Sequence, residues 1–102
     1  MANKNHLFEI KKGVESWRKW REANREVRPD LREAGLREMD LRFADLKGAD
    51  LSWANLRRAD LQESSLYDAV ANGADLHNAN LSSANLQQRR AVCQTIAQRP
   101  AG

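Results

Sequence analysis

The residues of this 102-residue chain that could do chemistry are few in kind. His6 and His77 are its two histidines and Cys93 its single cysteine. One cysteine permits neither an intrachain disulfide nor a Cys-based zinc site. The histidines lie in unlike sequence surroundings, with no second ligand at the spacing a metal centre uses. No G-x-S-x-G, phosphate-cradling glycine loop or H-E-x-x-H motif occurs, so nucleophilic, phosphoryl-transfer and zinc-hydrolase chemistry have no footing. Carboxylates are plentiful, and two held close together could share general acid–base work. However, Asp30, Asp40, Asp45, Asp50 and Asp60 are separated by multiples of five residues, a spacing that needs another explanation. Catalytic, cofactor and metal residues are therefore assigned to none, and no small-molecule substrate is implied. What remains is recognition chemistry: the arginines Arg37, Arg57 and Arg58, and the aromatic residues Trp53, Phe43 and Tyr67.

The element that positions all of these is a tandem repeat. From Pro29 to Gln88 the chain reads PDLRE AGLRE MDLRF ADLKG ADLSW ANLRR ADLQE SSLYD AVANG ADLHN ANLSS ANLQQ, twelve consecutive pentads. Leucine is central in eleven of them, and Ala71 breaks the column. Two residues before each centre stands a small residue, except at Pro29 and Met39. A fixed period has to be recognised before any element is assigned, because it decides the whole fold.

Five residues advance an α-helix by about 500°, a net 140°. The leucines would then wander around the helix, with no stripe to bury. A flat strand alternates its side chains with period two, so an odd repeat would send successive leucines to opposite faces. A chain that turns once per pentad, always in the same sense, satisfies the pattern. The central Leu and the small residue before it then point inward and the other three outward. Asp, Asn and Gly beside the centres suit repeated tight turns. A small inward residue spares the narrow interior from overpacking. Stacked coils then bury a core that no pentad could bury alone.

Repeated A(D/N)LXX over residues 29–88 resembles the pentapeptide-repeat proteins. That resemblance implies an all-β solenoid, a right-handed quadrilateral β-helix with four pentads per coil. Twelve pentads then make about three coils. The GVESWRKW…RPDL stretch also resembles an extension that precedes the repeats in some bacterial members.

With four pentads per coil, residues twenty apart stack. The centres form the columns Leu31–Leu51–Ala71, Leu36–Leu56–Leu76, Leu41–Leu61–Leu81 and Leu46–Leu66–Leu86. Outward, Arg37, Arg57, Arg58 and His77 share one face. Arg32, Arg37, Arg42 and Lys47 ring the first coil, with the aspartates before each centre as ion partners across coils. Such exposed pairs contribute about 0–1 kcal/mol each. Trp53, Phe43 and Tyr67 fall at outward positions, and Trp53 is expected to be the principal contact residue, since tryptophan is a frequent interface anchor.

Three segments result: 1–28 as an N-terminal helical cap and linker, 29–88 as the β-helix, and 89–102 as a C-terminal capping helix and tail. Leu7, Ile10, Val14, Trp17 and Trp20 recur at helical spacing, predicting one helix from about Asn5 to Asn24 with Asn5 as its N-cap. Gly13 would cost that helix about 1 kcal/mol. The first coil needs such a cover for its leucines and unpaired edge. AVANG should leave its face underfilled by about 2–4 kcal/mol and could mark a bulge near Gly73. Val92 and Ile96, four apart, predict a short closing helix that could also serve self-association.

Hydrophobic residues make up 41% of the chain, thin for a globule and adequate for a solenoid. The net charge of +3 hides a segregation. Residues 1–28 hold eight Lys/Arg against four Glu, residues 29–88 six against ten acids, and residues 89–102 three Arg with no acid. The basic character therefore sits at the ends, which argues against nucleic acid as partner. No long apolar run suggests a membrane span or signal segment, so a cytoplasmic setting is expected. The functional expectation is a non-catalytic structural or protein-interaction module that docks a protein partner or itself. Alternatives are an accessory domain of a larger signalling or defence protein, and a DNA-mimicking gyrase-binding protein, as the resemblance allows. The short stack, some 15 Å tall at the ~4.8 Å strand spacing, and the mildly acidic body suit the last poorly.

Overall fold

In the computed structural model, which describes residues 2–86, the five N–H groups of one pentad explain the fold. In Ala49–Trp53, the Ala49 N–H closes a turn onto the Leu46 carbonyl at 3.0 Å. Asp50 N–H donates to Pro29 O in the coil before, while Leu51 and Trp53 N–H donate to Val70 and Asn72 O in the coil after. Only the Ser52 N–H reaches neither neighbour, and the Asp50 carboxylate accepts it at 3.0 Å. Every donor is thus satisfied, as buried backbone requires. The same local bond joins Arg32 to Asp30, Arg42 to Asp40, Arg57 to Asn55, Gln62 to Asp60 and His77 to Asp75. Asp or Asn before each leucine is therefore a turn-building residue.

The turns show the type II pattern, with the carbonyl of each centre accepting from the N–H three residues on and the third turn residue at positive φ. Those residues run from Glu33 to Ser83 in steps of five, at φ between +55° and +71°. Parallel bridges join residues twenty apart, Asp30↔Asp50↔Val70 and Asp45↔Ser65↔Asn85 among them. Each twenty-residue coil therefore has four turns and four sides. Backbone pairing occurs as isolated bridges, because each side is only a few residues long before the next turn.

Leucines and alanines fill the interior, with Leu31, Leu36, Leu41, Leu46 and Leu61 fully buried. The AVANG pentad departs from the bulge expectation. Val70 and Asp75 bridge in register, Ala74 N–H closes onto Ala71 O at 3.2 Å, and Gly73 occupies the ordinary turn position at φ +69°. The backbone bonds alone hold the register, so a missing methyl cluster at one centre does not shift it. Ser64 replaces the inward alanine of its pentad and is buried, its hydroxyl without a hydrogen-bond partner among the described residues. Desolvating an unpaired hydroxyl is unfavourable. Ser64→Ala is therefore expected to stabilise the fold by about 1 kcal/mol in chemical denaturation.

The N-terminal segment also differs from the single helix expected. It forms α1 (Lys4–Lys11) and α2 (Val14–Ala23), broken at Gly13 with φ +119°. Asn3, rather than Asn5, caps α1 and accepts from the Asn5 and His6 N–H groups. The break lets Ile10 and Trp17 both be fully buried over the first coil, with Leu7, Val14, Trp20 and Met39 packed beside them.

Polar contacts stitch this cap to the first coil's edge. Asn3 N–H donates to Asp30 O at 3.0 Å, and Asp30 N–H donates to His6 Nδ1 at 2.9 Å. Trp17 Nε1–H donates to Asp45 O at 2.7 Å, and Arg21 donates to Lys47 O and Val27 O. These side chains stand where a preceding coil would have supplied backbone partners, which answers the edge problem of a solenoid end. The proposed closing helix at 89–98, with Cys93, lies outside the described residues.

His6 can accept from Asp30 only when Nδ1 is unprotonated. Burial depresses its pKa below 6.5, the nearby Asp30 carboxylate opposes this, and Arg21 adds to it. A lowered folded pKa gives stability that is whole above pH 6.5 and is lost as pH falls through 6.5 toward the lower folded value. We expect the melting temperature to fall as the pH is lowered from 7.5 to 5.5. His6→Gln, which keeps an acceptor without titrating, should remove that component of the pH dependence.

Candidate interaction surface

The outward side chains divide into those the fold has already engaged and those it has not. Arg32 clamps Asp30 with Nε and one terminal nitrogen at 2.9 and 3.0 Å, and Arg42 clamps Asp40 in the same way. The side-chain hydrogen bonds from Arg32 and Arg42 hold the Asp30 and Asp40 carboxyls below the usual carboxylate range. The first coil's basic ring is thus tied mainly within its own pentads. Pairs across coils exist as well: Arg28–Asp68 at 2.6 Å, Arg57–Asp75 at 3.2 Å, and looser Arg42–Asp60 and Arg58–Glu38 contacts at 3.8 Å.

The face expected to gather cations does so. Arg37, Arg57 and Arg58 are exposed together with His77, stacked through bonds such as Glu38 N–H to Arg57 O and Arg58 N–H to His77 O. Glu38 lies 3.9 Å from Arg37 and 3.8 Å from Arg58, a shared and distant counter-ion. Below it, Asp75 takes Arg57 and also His77 Nδ1 at 2.7 Å. Burial works against the Asp75 carboxylate, and the hydrogen bonds from His77 and Arg57 outweigh it, lowering its pKa. Three guanidinium groups thus face solvent over two carboxylates, a surface that can receive an anionic group.

The aromatics separate more sharply. Tyr67 is half-buried, unlike the exposed position expected, and Lys47 Nζ lies 5.5 Å from its ring centroid. Phe43 is 61% exposed at φ +63°, and it borders a shallow cleft lined by Val14, Arg18 and Arg42. Trp53 is 67% exposed at φ +64°. A bulky residue in the left-handed region is a conformational outlier, yet the equivalent turn position is glycine at 48 and 73. The Trp53 N–H to Asn72 O bond stacks its corner on that of Gly73. A Cβ built on Gly73 would collide with Cε3, Cζ3 and Cη2 of the indole. The six-membered ring therefore rests on glycine backbone, its other face open.

Gly73 was not singled out as a functional residue from sequence, although the twenty-residue column Glu33–Trp53–Gly73 would have found it. His6 and Arg21 were likewise missed as cap contacts, since nothing local in sequence marks an edge partner. Val92 and Ile96 lie outside the described residues. Among the described residues no group of three His, Cys, Asp or Glu side chains is placed to hold a metal ion, and no helix is long and apolar enough to cross a membrane.

A search of curated proteins returns no match. The family description Pentapeptide repeats matches residues 30–62 and 49–88, with eight copies, over more than half of the chain. The period, the bonds twenty residues apart and this match together place the chain in the pentapeptide-repeat family.

Proposed function

We propose that this chain is a non-catalytic scaffold, a right-handed quadrilateral β-helix that docks a protein partner on its outer wall in a cytoplasmic setting. The observation that carries the reading is Trp53, whose indole stays 67% exposed at a turn position that the coil elsewhere fills mostly with polar residues or glycine. Every described turn from Glu33 to Ser83 holds its third residue at positive φ, so what sets Trp53 apart is its side chain, an exposed indole resting on Gly73 and of the kind that interface centres use. Phe43 and the Arg37, Arg57 and Arg58 group extend the candidate surface. The aspartates support a DNA-mimic reading poorly, because turn N–H groups and arginines already engage many of them. Pull-downs with wild type, Trp53→Ala and Arg57→Glu/Arg58→Glu test the proposal. Partner capture should drop at least severalfold in one variant at unchanged stability, and unchanged capture in both removes these sites.

One observation favours a second reading, self-association at the C-terminal end. Leu81 and Leu86 are half-buried, whereas Leu41, Leu61, Leu46 and Leu66 above them are buried. The inward leucines of the third coil are thus the least covered of their columns, and Val92 and Ile96 are the next large apolar residues in sequence. Light scattering of wild type against Val92→Asp/Ile96→Asp distinguishes the cases: a concentration-independent monomer for both excludes self-association.

A further inference from the structure

The chemistry of a partner on the Arg37, Arg57 and Arg58 side can be narrowed, resting on the docking role proposed above. Four pentads carry an arginine directly after the central leucine, and they fall into two kinds. Arg32 and Arg42 have an aspartate two residues earlier and clamp it through two nitrogens. Arg37 and Arg57 have Gly35 and Asn55 at that position, so the internal clamp is missing. The Gly35↔Asn55 bridge sets the two arginines on adjacent rungs of one column, about 4.8 Å apart, where like charges repel. Arg57 gives one terminal nitrogen to Asp75 at 3.2 Å. Arg37 and Arg58 spend less: among the described residues each guanidinium reaches only Glu38, at 3.9 and 3.8 Å, beyond hydrogen-bond distance. Their side chains are 54% and 60% exposed, so two forks of N–H donors stand open to solvent.

The charge around this side limits what can dock there. It holds three arginines against two acids, whereas each flanking side holds three acids against one arginine. A long polyanion laid across the wall would leave the arginines and meet carboxylates on either flank, which opposes it. A short anionic stretch would not. Glu38 then separates one doubly charged group from two single ones. Its Oε1 faces Arg37 and its Oε2 faces Arg58, so a phosphate bridging both guanidinium groups would lie against that carboxylate. Two carboxylates, one on each fork, have no such obstacle.

We propose that this side docks a short acidic segment of a partner protein, with one Asp or Glu carboxylate on the Arg37 guanidinium and a second on that of Arg58. A planar guanidinium takes a carboxylate through two parallel N–H···O bonds, and neither fork is used within the described chain. Arg57 adds charge beside them while it stays on Asp75. Glu38 competes with the incoming carboxylates, so removing its charge tightens the complex.

The test titrates fluorescein-labelled nonapeptides into the full chain and reads anisotropy. One alternates Glu and Ser, one alternates Lys and Ser, and one is all Ser with a single central phosphoserine. The Glu peptide should bind, more weakly as salt rises, the phosphoserine peptide less well, and the Lys peptide not measurably. Arg37→Ala/Arg58→Ala, which removes no side-chain hydrogen bond among the described residues, should weaken the Glu peptide by about three- to tenfold. Glu38→Gln should strengthen it by about two- to fivefold. Equal binding of the Glu peptide to wild type and Arg37→Ala/Arg58→Ala overturns the assignment, as does a failure of that peptide to bind wild type. Tighter binding of the phosphoserine peptide, or of a thymidine oligonucleotide, overturns it in favour of a phosphate ligand. If any of these occurs while the pull-down still loses partners on Trp53→Ala or Arg57→Glu/Arg58→Glu, the docking role stands and only the acidic segment is rejected.

Discussion

Replacing Trp17 by alanine is expected to cost about 3–5 kcal/mol, enough to unfold most of a domain of this size near physiological temperature. Trp17 is fully buried between α2 and the first coil, stacked on Trp20 at a centroid distance of 5.0 Å. Its removal takes away the largest apolar surface in the cap and leaves the Asp45 carbonyl without its 2.7 Å donor. Two penalties coincide, a cavity and a buried unpaired acceptor. Trp17→Phe keeps a six-membered ring in the core and removes the N–H with the rest of the five-membered ring, so the cavity shrinks while the lost donor remains, for about 1–3 kcal/mol. Urea denaturation of both variants measures the difference. Equal and small effects, under 0.5 kcal/mol, would mean that the helices are not the lid of the first coil.

Leu56→Ala in the middle coil should cost about 2–5 kcal/mol. Leu56 is 1% exposed between Leu36 and Leu76 of its column, with coils above and below. The coils around it are fixed by backbone bonds at about 2.8 Å, such as Leu36 N–H to Asn55 O and Leu56 N–H to Asp75 O. Such a wall has little freedom to collapse into the space left behind, which puts the loss toward the upper part of the range. The adjacent Arg57→Ala, on the exposed side of the same pentad, should change stability by under about 0.5 kcal/mol. Guanidinium denaturation midpoints for the two, one residue apart, test the inward and outward assignment directly.

Much of this molecule was legible in its sequence because the pentad is both the unit of sequence and the unit of structure. Leu at the centre and a small residue two before it point inward at most turns, so one repeated rule predicts most of the core. What escaped depends on relations between distant residues. The pairing of His6 with Asp30 joins positions twenty-four apart, and no local pattern announces a histidine that substitutes for a missing strand. The break at Gly13 came from the need to bury Ile10 and Trp17 over one flat coil end, a tertiary demand that overrode a continuous helical stripe. AVANG was read as a defect because its missing leucine was visible and its intact backbone bonds were not. Its glycine proves to be the seat of Trp53. The aspartates' partners were expected across coils, and most are first bound to their own pentad's N–H.

The wall therefore has two kinds of residue: those the coil requires, and a few, Trp53 foremost, that it exposes without using in its core. The thermal stability of Trp53→Ala tests that division most directly. The indole is mostly exposed, and its backbone sits in a region alanine also disfavours, so the account predicts a melting temperature within about 2 °C of wild type, equivalent to a few tenths of a kcal/mol. A fall of more than about 8 °C would contradict it, making the indole a brace for the third coil through Gly73 rather than a surface held out for a partner.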